Sequence, residues 1–143
     1  MTLTSTLRAQ HTEILQLACA ALALAPAAAS EQGADELRET LDQLAKVLLQ
    51  HLAIEDEQLY PRLRSSDDRL VANTALRFAS EMGGLAVAYQ AFDQRWRAAA
   101  DIAASPAEFR SEFEYVTETL RQRIASEEGL LYMLSDGCNA RAG

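Results

Sequence analysis

Apolar residues recur at intervals of three and four through most of the chain, which is the period of one face of an amphipathic α-helix. No stretch shows the sustained alternation expected of a β-strand. The pattern predicts four long helices, over residues 4–25, 35–63, 68–104 and 105–136. Thr4 or Ser5 can cap the first helix, Pro26 ends it, and residues 26–34 are expected to form a loop.

The second predicted helix carries two polar residues on its apolar face. Its inward positions are Leu37, Leu41, Leu44, Leu48, His51, Glu55 and Leu59. His51 and Glu55 therefore face the core, one helical turn apart. Such a pair can bind one metal ion, whereas a buried carboxylate without a partner costs several kcal/mol or takes up a proton. A buried hydrogen-bonded pair that fixes the packing fits this stretch equally well.

The first and fourth predicted helices carry similar interruptions, and the third does not. The inward face of the first helix is Leu7, His11, Ile14, Ala18, Ala21 and Ala25. That of the fourth is Phe109, Phe113, Val116, Leu120, Arg123, Glu127, Leu131 and Leu134. That of the third is Val71, Ala75, Phe78, Met82, Leu85, Tyr89, Phe92 and Trp96. Gly83 and Gly84 lie in the middle of the third helix, so either a neighbouring helix approaches there or the helix bends.

Short loops between four long helices predict an all-α fold, an antiparallel up-down-up-down four-helix bundle. At a rise of about 1.5 Å per residue, the inward polar residues of the three helices then lie at similar heights in the bundle. These residues are His11, His51, Glu55, Arg123 and Glu127. Because scattered structural polar residues would have no reason to share one layer, the arrangement favours a functional site.

Length and charge narrow the possible partners. The 143 residues fit a single domain over 1–143, with 136–143 as a flexible tail. The formal net charge of -8 argues against nucleic acid and anionic membranes as partners. Two isolated cysteines, Cys19 and Cys138, suggest a reducing compartment, and the apolar run 14–29 is interpreted as a mature helix rather than a secretory signal. We expect a cytoplasmic protein without a membrane span.

The chain resembles the hemerythrin-like, or HHE cation-binding, domain. That family has a four-helix bundle with a non-haem iron site, usually of two ions, and takes a histidine from the first and third helices and an HxxxE pair from the second and fourth. His11 in Leu-Arg-Ala-Gln-His, and His51 with Glu55 followed by Leu-Tyr-Pro, match this pattern. The resemblance extends from the first helix through the fourth.

The second half of the chain departs from the family pattern at both of its histidines. Met82 stands where the third helix would supply one, and Arg123 stands in place of the other, whereas Glu127 is retained. A dinuclear oxygen carrier with full histidine ligation is therefore not expected. Arg123 could replace the charge of the second metal by pairing with Glu55 or Glu127.

The resemblance and the chemistry together imply a ligand set of His11, His51, Glu55 and Glu127, with Glu81 as a fifth ligand near the inward face. Such mixed ligands suit iron, and also manganese or zinc. The alternative is a site that binds no metal and has become a buried salt-bridge network. Tyr60 and Tyr132, each five residues after a glutamate, are interpreted as packing residues.

Two classes of function remain open from the sequence. The first is a non-haem metal protein with an altered site that can be mononuclear. Such a protein would bind O2 or another small diatomic ligand, and would act in oxygen or iron sensing or in the response to oxidative or nitrosative stress. The second is a metal-free helical module that acts through a partner. The chain shows no nucleophile with an adjacent base, no phosphate loop and no CxxC motif, which favours a binding protein over an enzyme. We expect a monomer or a homodimer.

Overall fold

The computed structural model describes residues 2–136, apart from the side chains of residues 82 and 83, and every element in that range is helical. Four long helices dominate: α1 (Leu3–Leu24), α2 (Glu31–Ile54), α4 (Arg69–Arg95) and α6 (Pro106–Ser126). Two short helices, α3 (Tyr60–Arg64) and α5 (Ala99–Ala104), connect them. The predicted tail from 137 onwards, with Cys138, lies outside the described residues.

The first two long helices begin earlier than the sequence pattern suggests. Thr2, not Thr4 or Ser5, caps α1, because its side chain accepts a hydrogen bond from the Ser5 amide. Ser30 caps α2 in the same way through the Gly33 amide, 3.0 Å away. A 3-10 turn over Ala25–Ala27 shortens the predicted loop between them.

The third predicted helix is divided near its end. It runs unbroken through its glycine pair as α4, then stops at Trp96, whose backbone leaves the helical region. A Cβ atom built on Gly84 would meet nothing within 4 Å, so no neighbouring helix presses against that residue. Asp68 caps α4 as expected, through a 2.9 Å hydrogen bond from the Leu70 amide.

The core consists of the inward faces of the four long helices. All six predicted inward residues of α1 are buried, as are the predicted positions of α2. In α6 the register differs from the prediction after Phe113: Thr117 and Ile124 are buried, whereas Val116 and Arg123 are partly exposed. Steps of four and three fit both registers, and Glu127 is buried in either. Within the described residues, no helix is long and apolar enough to cross a membrane.

Gly33 is the glycine whose lack of a side chain matters most for this packing. A Cβ atom at this position would lie 2.0 Å from the carbonyl oxygen of Ala27, so the start of α2 can rest on the preceding 3-10 turn only without one. We expect Gly33→Ala to lower the free energy of unfolding by about 1 to 3 kcal/mol, as overpacking does.

The matched control is Gly84→Ala, in the middle of α4. Its new methyl group has open space, so the better helix propensity of alanine should raise the free energy of unfolding by up to about 1 kcal/mol. Urea denaturation of the metal-free variants measures both changes. Shifts in the same direction would contradict the packing described for Gly33.

Candidate metal centre

Four of the residues singled out by the sequence pattern meet in one buried layer. His11 comes from α1, His51 from the last turn of α2, and Glu55 and Glu127 each stand immediately after a long helix. No side chain of the four is more than 2 % exposed. The layer therefore places two imidazoles and two carboxyl groups inside an apolar core.

Both glutamates open a single turn of π-helix. The two turns span Glu55–Leu59 and Glu127–Leu131, and each ends with a hydrogen bond from a tyrosine amide to the glutamate carbonyl five residues earlier. Pro61, which has no N–H group, lies two residues after the end of the first turn. Isolated π turns are frequently found at functional sites, because the extra residue changes the direction of the side chains that follow.

Three of the four side chains converge closely enough to hold one ion. One ligand atom from each of His11, His51 and Glu127 can be chosen so that all three lie within 4.8 Å of one another. Glu55 joins them through His51, whose Nε2 lies 2.8 Å from its Oε1 atom. The two imidazole rings are 4.6 Å apart between centroids.

The contacts of His51 leave one nitrogen available for a metal. Its Nδ1 atom lies 2.8 Å from the side-chain oxygen of Gln10, which can only accept a hydrogen bond, so Nδ1 carries the proton. The lone pair of Nε2 then faces Glu55. Neither Nε2 nor the facing Oε1 of Glu55 has a hydrogen-bond partner in the part of the chain that the structure describes. Two buried acceptors that face each other are unfavourable unless a proton on one of them or a metal cation lies between them.

His11 is oriented in a similar way. Its Nδ1 atom lies 3.1 Å from Oε1 of Glu128, a carboxylate at the edge of the core, and its Nε2 atom lies 3.3 Å from Oε1 of Glu127. The hydroxyl group of Tyr132 is 3.0 Å from the same Nε2 atom. Metal-binding histidines commonly use their second nitrogen for such an outer hydrogen bond, which fixes the ring.

Burial changes the protonation of this layer in the metal-free protein. Burial, followed by the hydrogen bond to Glu55, raises the pKa of Glu127 to about 8. Burial also raises the pKa of Glu55 and lowers that of His51. The two carboxyl groups therefore share a proton, and the imidazole of His51 stays neutral. A divalent cation would stabilise the ionised carboxylates that the apolar core disfavours.

Arg123 and Glu81 lie beside the four buried side chains rather than among them, and the charge of Arg123 partly offsets the rise in the pKa of Glu55. Arg123 lies at the edge of the layer, where it lines a small cavity with both histidines and Glu127. Its guanidinium forms a 2.6 Å ion pair with Glu81 and stacks over Phe78. The Glu81 side chain is about half exposed, so the structure does not bring the predicted fifth ligand to the four buried side chains.

Four residues that the sequence pattern did not single out as site residues also surround the layer: Gln10, Glu128, Tyr60 and Tyr132. The first two orient the histidines, and Tyr60 donates a 3.4 Å hydrogen bond to Oε2 of Glu127. An α-helical period of about 100° per residue places a residue five positions later on a different face. The π turns place the side chains of both tyrosines next to the buried glutamates. The two glutamate-to-tyrosine spacings of five are the signal that could have identified them.

The comparison with protein families finds one match that covers most of the chain. The family described as hemerythrin HHE cation binding domain matches residues 2–135. The search of curated proteins finds no match, and neither does the search of solved structures.

Gln10 should matter for metal affinity although it is not a ligand. Gln10→Leu removes the acceptor that holds the proton of His51 on Nδ1, so we expect the affinity for a divalent metal to fall by about 10- to 100-fold. Competition with a chromophoric chelator measures the change. Gln16→Leu, on an exposed face of the same helix, is the control, and equal affinities in the two variants would contradict this role.

The shared proton should be visible in the pH dependence of stability. Folded Glu127 binds its proton up to about pH 8, whereas the unfolded residue loses it near 4.5. Because the folded state binds more protons, the free energy of unfolding of the metal-free protein should fall with rising pH, at most by about 1.4 kcal/mol per pH unit. The lowered pKa of His51 acts in the opposite direction below 6.5, so the clearest window is pH 6.5 to 8.

Urea titrations across that window measure the slope. Glu127→Gln should reduce it, because the amide does not ionise whereas Glu55, whose pKa burial also raises, still titrates. The exposed control Glu57→Gln should leave it unchanged. A slope that Glu127→Gln leaves at its full value would mean that another group holds the proton.

Proposed function

The chain belongs to the hemerythrin HHE cation-binding family, and on this basis we propose that it binds a single non-haem iron ion through His11, His51, Glu55 and Glu127. The observation that carries the proposal is the facing pair of His51 Nε2 and Glu55 Oε1, 2.8 Å apart, buried and without hydrogen-bond partners among the described residues. A folded core keeps such a pair at a cost unless a metal cation joins the two atoms or, in the metal-free protein, Glu55 retains its proton.

The donor set fits a first-row divalent metal. Two imidazoles and two carboxylates suit Fe(II), Mn(II) or Zn(II), and iron is the choice that the family favours. When bound, the ion would supply a Lewis acid and, as iron, a one-electron redox centre. The protein holds the imidazoles in one tautomer through Gln10 and Glu128 and keeps the ligands in an apolar layer.

A count of one ion follows from the side chains on the other half of the bundle. Among the described residues, one group of three or more metal-binding side chains comes together, that of His11, His51 and Glu127. Arg123 occupies the place of a family histidine and forms an ion pair with Glu81 instead. The positive charge of Arg123 disfavours a second cation nearby.

The biological role that we propose is the binding of O2 or another small diatomic ligand, in sensing or in the response to oxidative or nitrosative stress. This part is supported by the family.

The antiparallel up-down-up-down order of the helices is also part of the proposal. It is supported by the 2.6 Å hydrogen bond from Thr4, at the start of α1, to Asp136, at the end of the described chain.

Metal analysis of protein produced in iron-supplemented medium tests the proposal. We expect about one iron per chain, and an added stability of about 2.7 kcal/mol at a free metal concentration one hundred times the Kd. His51→Ala should lose both the metal and the increment but still fold, whereas the neighbouring exposed control Gln50→Ala should retain them.

Two results would contradict the proposal in different ways. Two tightly bound ions per chain would show that the single-ion assignment is wrong. Thermal melting that is insensitive both to metal and to chelator would show that the buried layer is a metal-free polar network.

A further inference from the structure

The hydroxyl group of Tyr132 lies inside the group of donor atoms rather than beside it. Its oxygen is 3.0 Å from Nε2 of His11 and 3.4 Å from Oε2 of Glu55. These two atoms belong to ligands that reach the layer from different helices. We propose that Tyr132 is a further ligand of the ion, through its phenolate oxygen, and that the site is thereby suited to Fe(III). This inference rests on the proposed function.

The spacing of the donors supports direct coordination. Two metal bonds of about 2.1 Å at a right angle place their donor atoms about 3 Å apart. The measured separations around the layer follow that spacing: 2.8 Å from His51 to Glu55, 3.3 Å from His11 to Glu127, and 3.0 and 3.4 Å from Tyr132 to its two neighbours. Tyr132 thus lies between two pairs of ligands: His51 with Glu55, and His11 with Glu127.

The ring of Tyr132 is held in place from several sides. The residue is fully buried, and the ring stacks on His11 with 5.3 Å between centroids and an interplanar angle of 16°. The guanidinium of Arg8 also lies over the ring, 5.5 Å from its centroid. These contacts fix the ring although the phenol stays protonated in the metal-free protein, because burial and the neighbouring carboxylates of Glu127 and Glu55 raise the pKa of Tyr132. The oxygen is therefore pre-positioned, which lowers the cost of bringing it to a metal.

Tyr60 is the natural control, because it occupies the equivalent position after the first π turn. Its hydroxyl contacts Oε2 of Glu127 at 3.4 Å, and that carboxylate faces His11 through its other oxygen, Oε1. Tyr60 therefore contacts the oxygen of Glu127 that does not face His11, whereas Tyr132 contacts a ligand nitrogen directly. We assign Tyr60 no bond to the metal.

Coordination of Tyr132 is a ligand exchange without a change of oxidation state. The O–H bond of the phenol breaks, a bond forms between its oxygen and Fe(III), and the proton leaves to solvent. One additional proton should therefore be released for each iron bound. Phenolate is an anionic oxygen donor, which matches the preference of a hard, highly charged ion.

The test compares wild type, Tyr132→Phe and Tyr60→Phe, each loaded with Fe(III) and each analysed for iron content. Wild type should show a phenolate-to-iron charge-transfer band in the visible region, with tyrosinate modes in the resonance Raman spectrum. Tyr132→Phe should lose the band and the modes and release one proton fewer per iron, and Tyr60→Phe should keep all three. Circular dichroism confirms that each variant is folded.

The possible failures are distinguishable. If wild-type protein binds no iron, the proposed function fails first. If it binds Fe(III) but shows no tyrosinate modes, or if the band survives in Tyr132→Phe, the assignment of Tyr132 is wrong while the metal site stands. Should Tyr132→Phe fail to fold, wild type produced with ring-deuterated tyrosine decides the question, because only coordinated tyrosinate modes would shift in the resonance Raman spectrum.

Discussion

The burial of two carboxyl groups beside two imidazoles, in a layer that is otherwise apolar, is the constraint on which the rest of the structure depends. Glu55 and Glu127 are essentially inaccessible to solvent, and burial opposes their charge more strongly than any neighbour favours it. Without a cation, the layer can persist only by sharing protons. The outer contacts of Gln10 and Glu128 fix the rings in the orientation that a cation would require.

Periodicity is sufficient to predict the first half of the bundle. The apolar positions of α1 and α2 step regularly, so the inward faces, and with them His11, His51 and Glu55, can be assigned from the spacing of residues alone. The fourth helix is harder, because the sequence fits two registers. Glu127 is inward in both, whereas Arg123 is fully inward in one; in the protein Ile124 is buried and Arg123 is partly buried at the edge of the layer.

The remaining features depend on contacts that periodicity does not encode. The ion pair of Arg123 with Glu81 joins side chains on two helices, so it follows from how those helices pack rather than from either sequence alone. Both tyrosines are missed as site residues because a spacing of five does not share a face in an α-helix. Their position under the glutamates requires the local π geometry, for which the sequence offers Pro61 as a hint in one case and no comparable signal in the other.

Each π turn is equivalent to one additional residue inserted into an α-helix. Residues before the insertion and residues after it therefore follow the same helical repeat with an offset of one, and the chain tolerates the offset because both turns lie near the end of a long helix. Deleting a single residue from 127–131 would restore an ordinary helix and rotate everything beyond it, including the Asp136 contacts with Thr4 and Arg8. Apart from the two glutamates, chain length in these two short segments is thus under tighter constraint than residue identity, so relatives should differ there by substitution rather than by insertion or deletion.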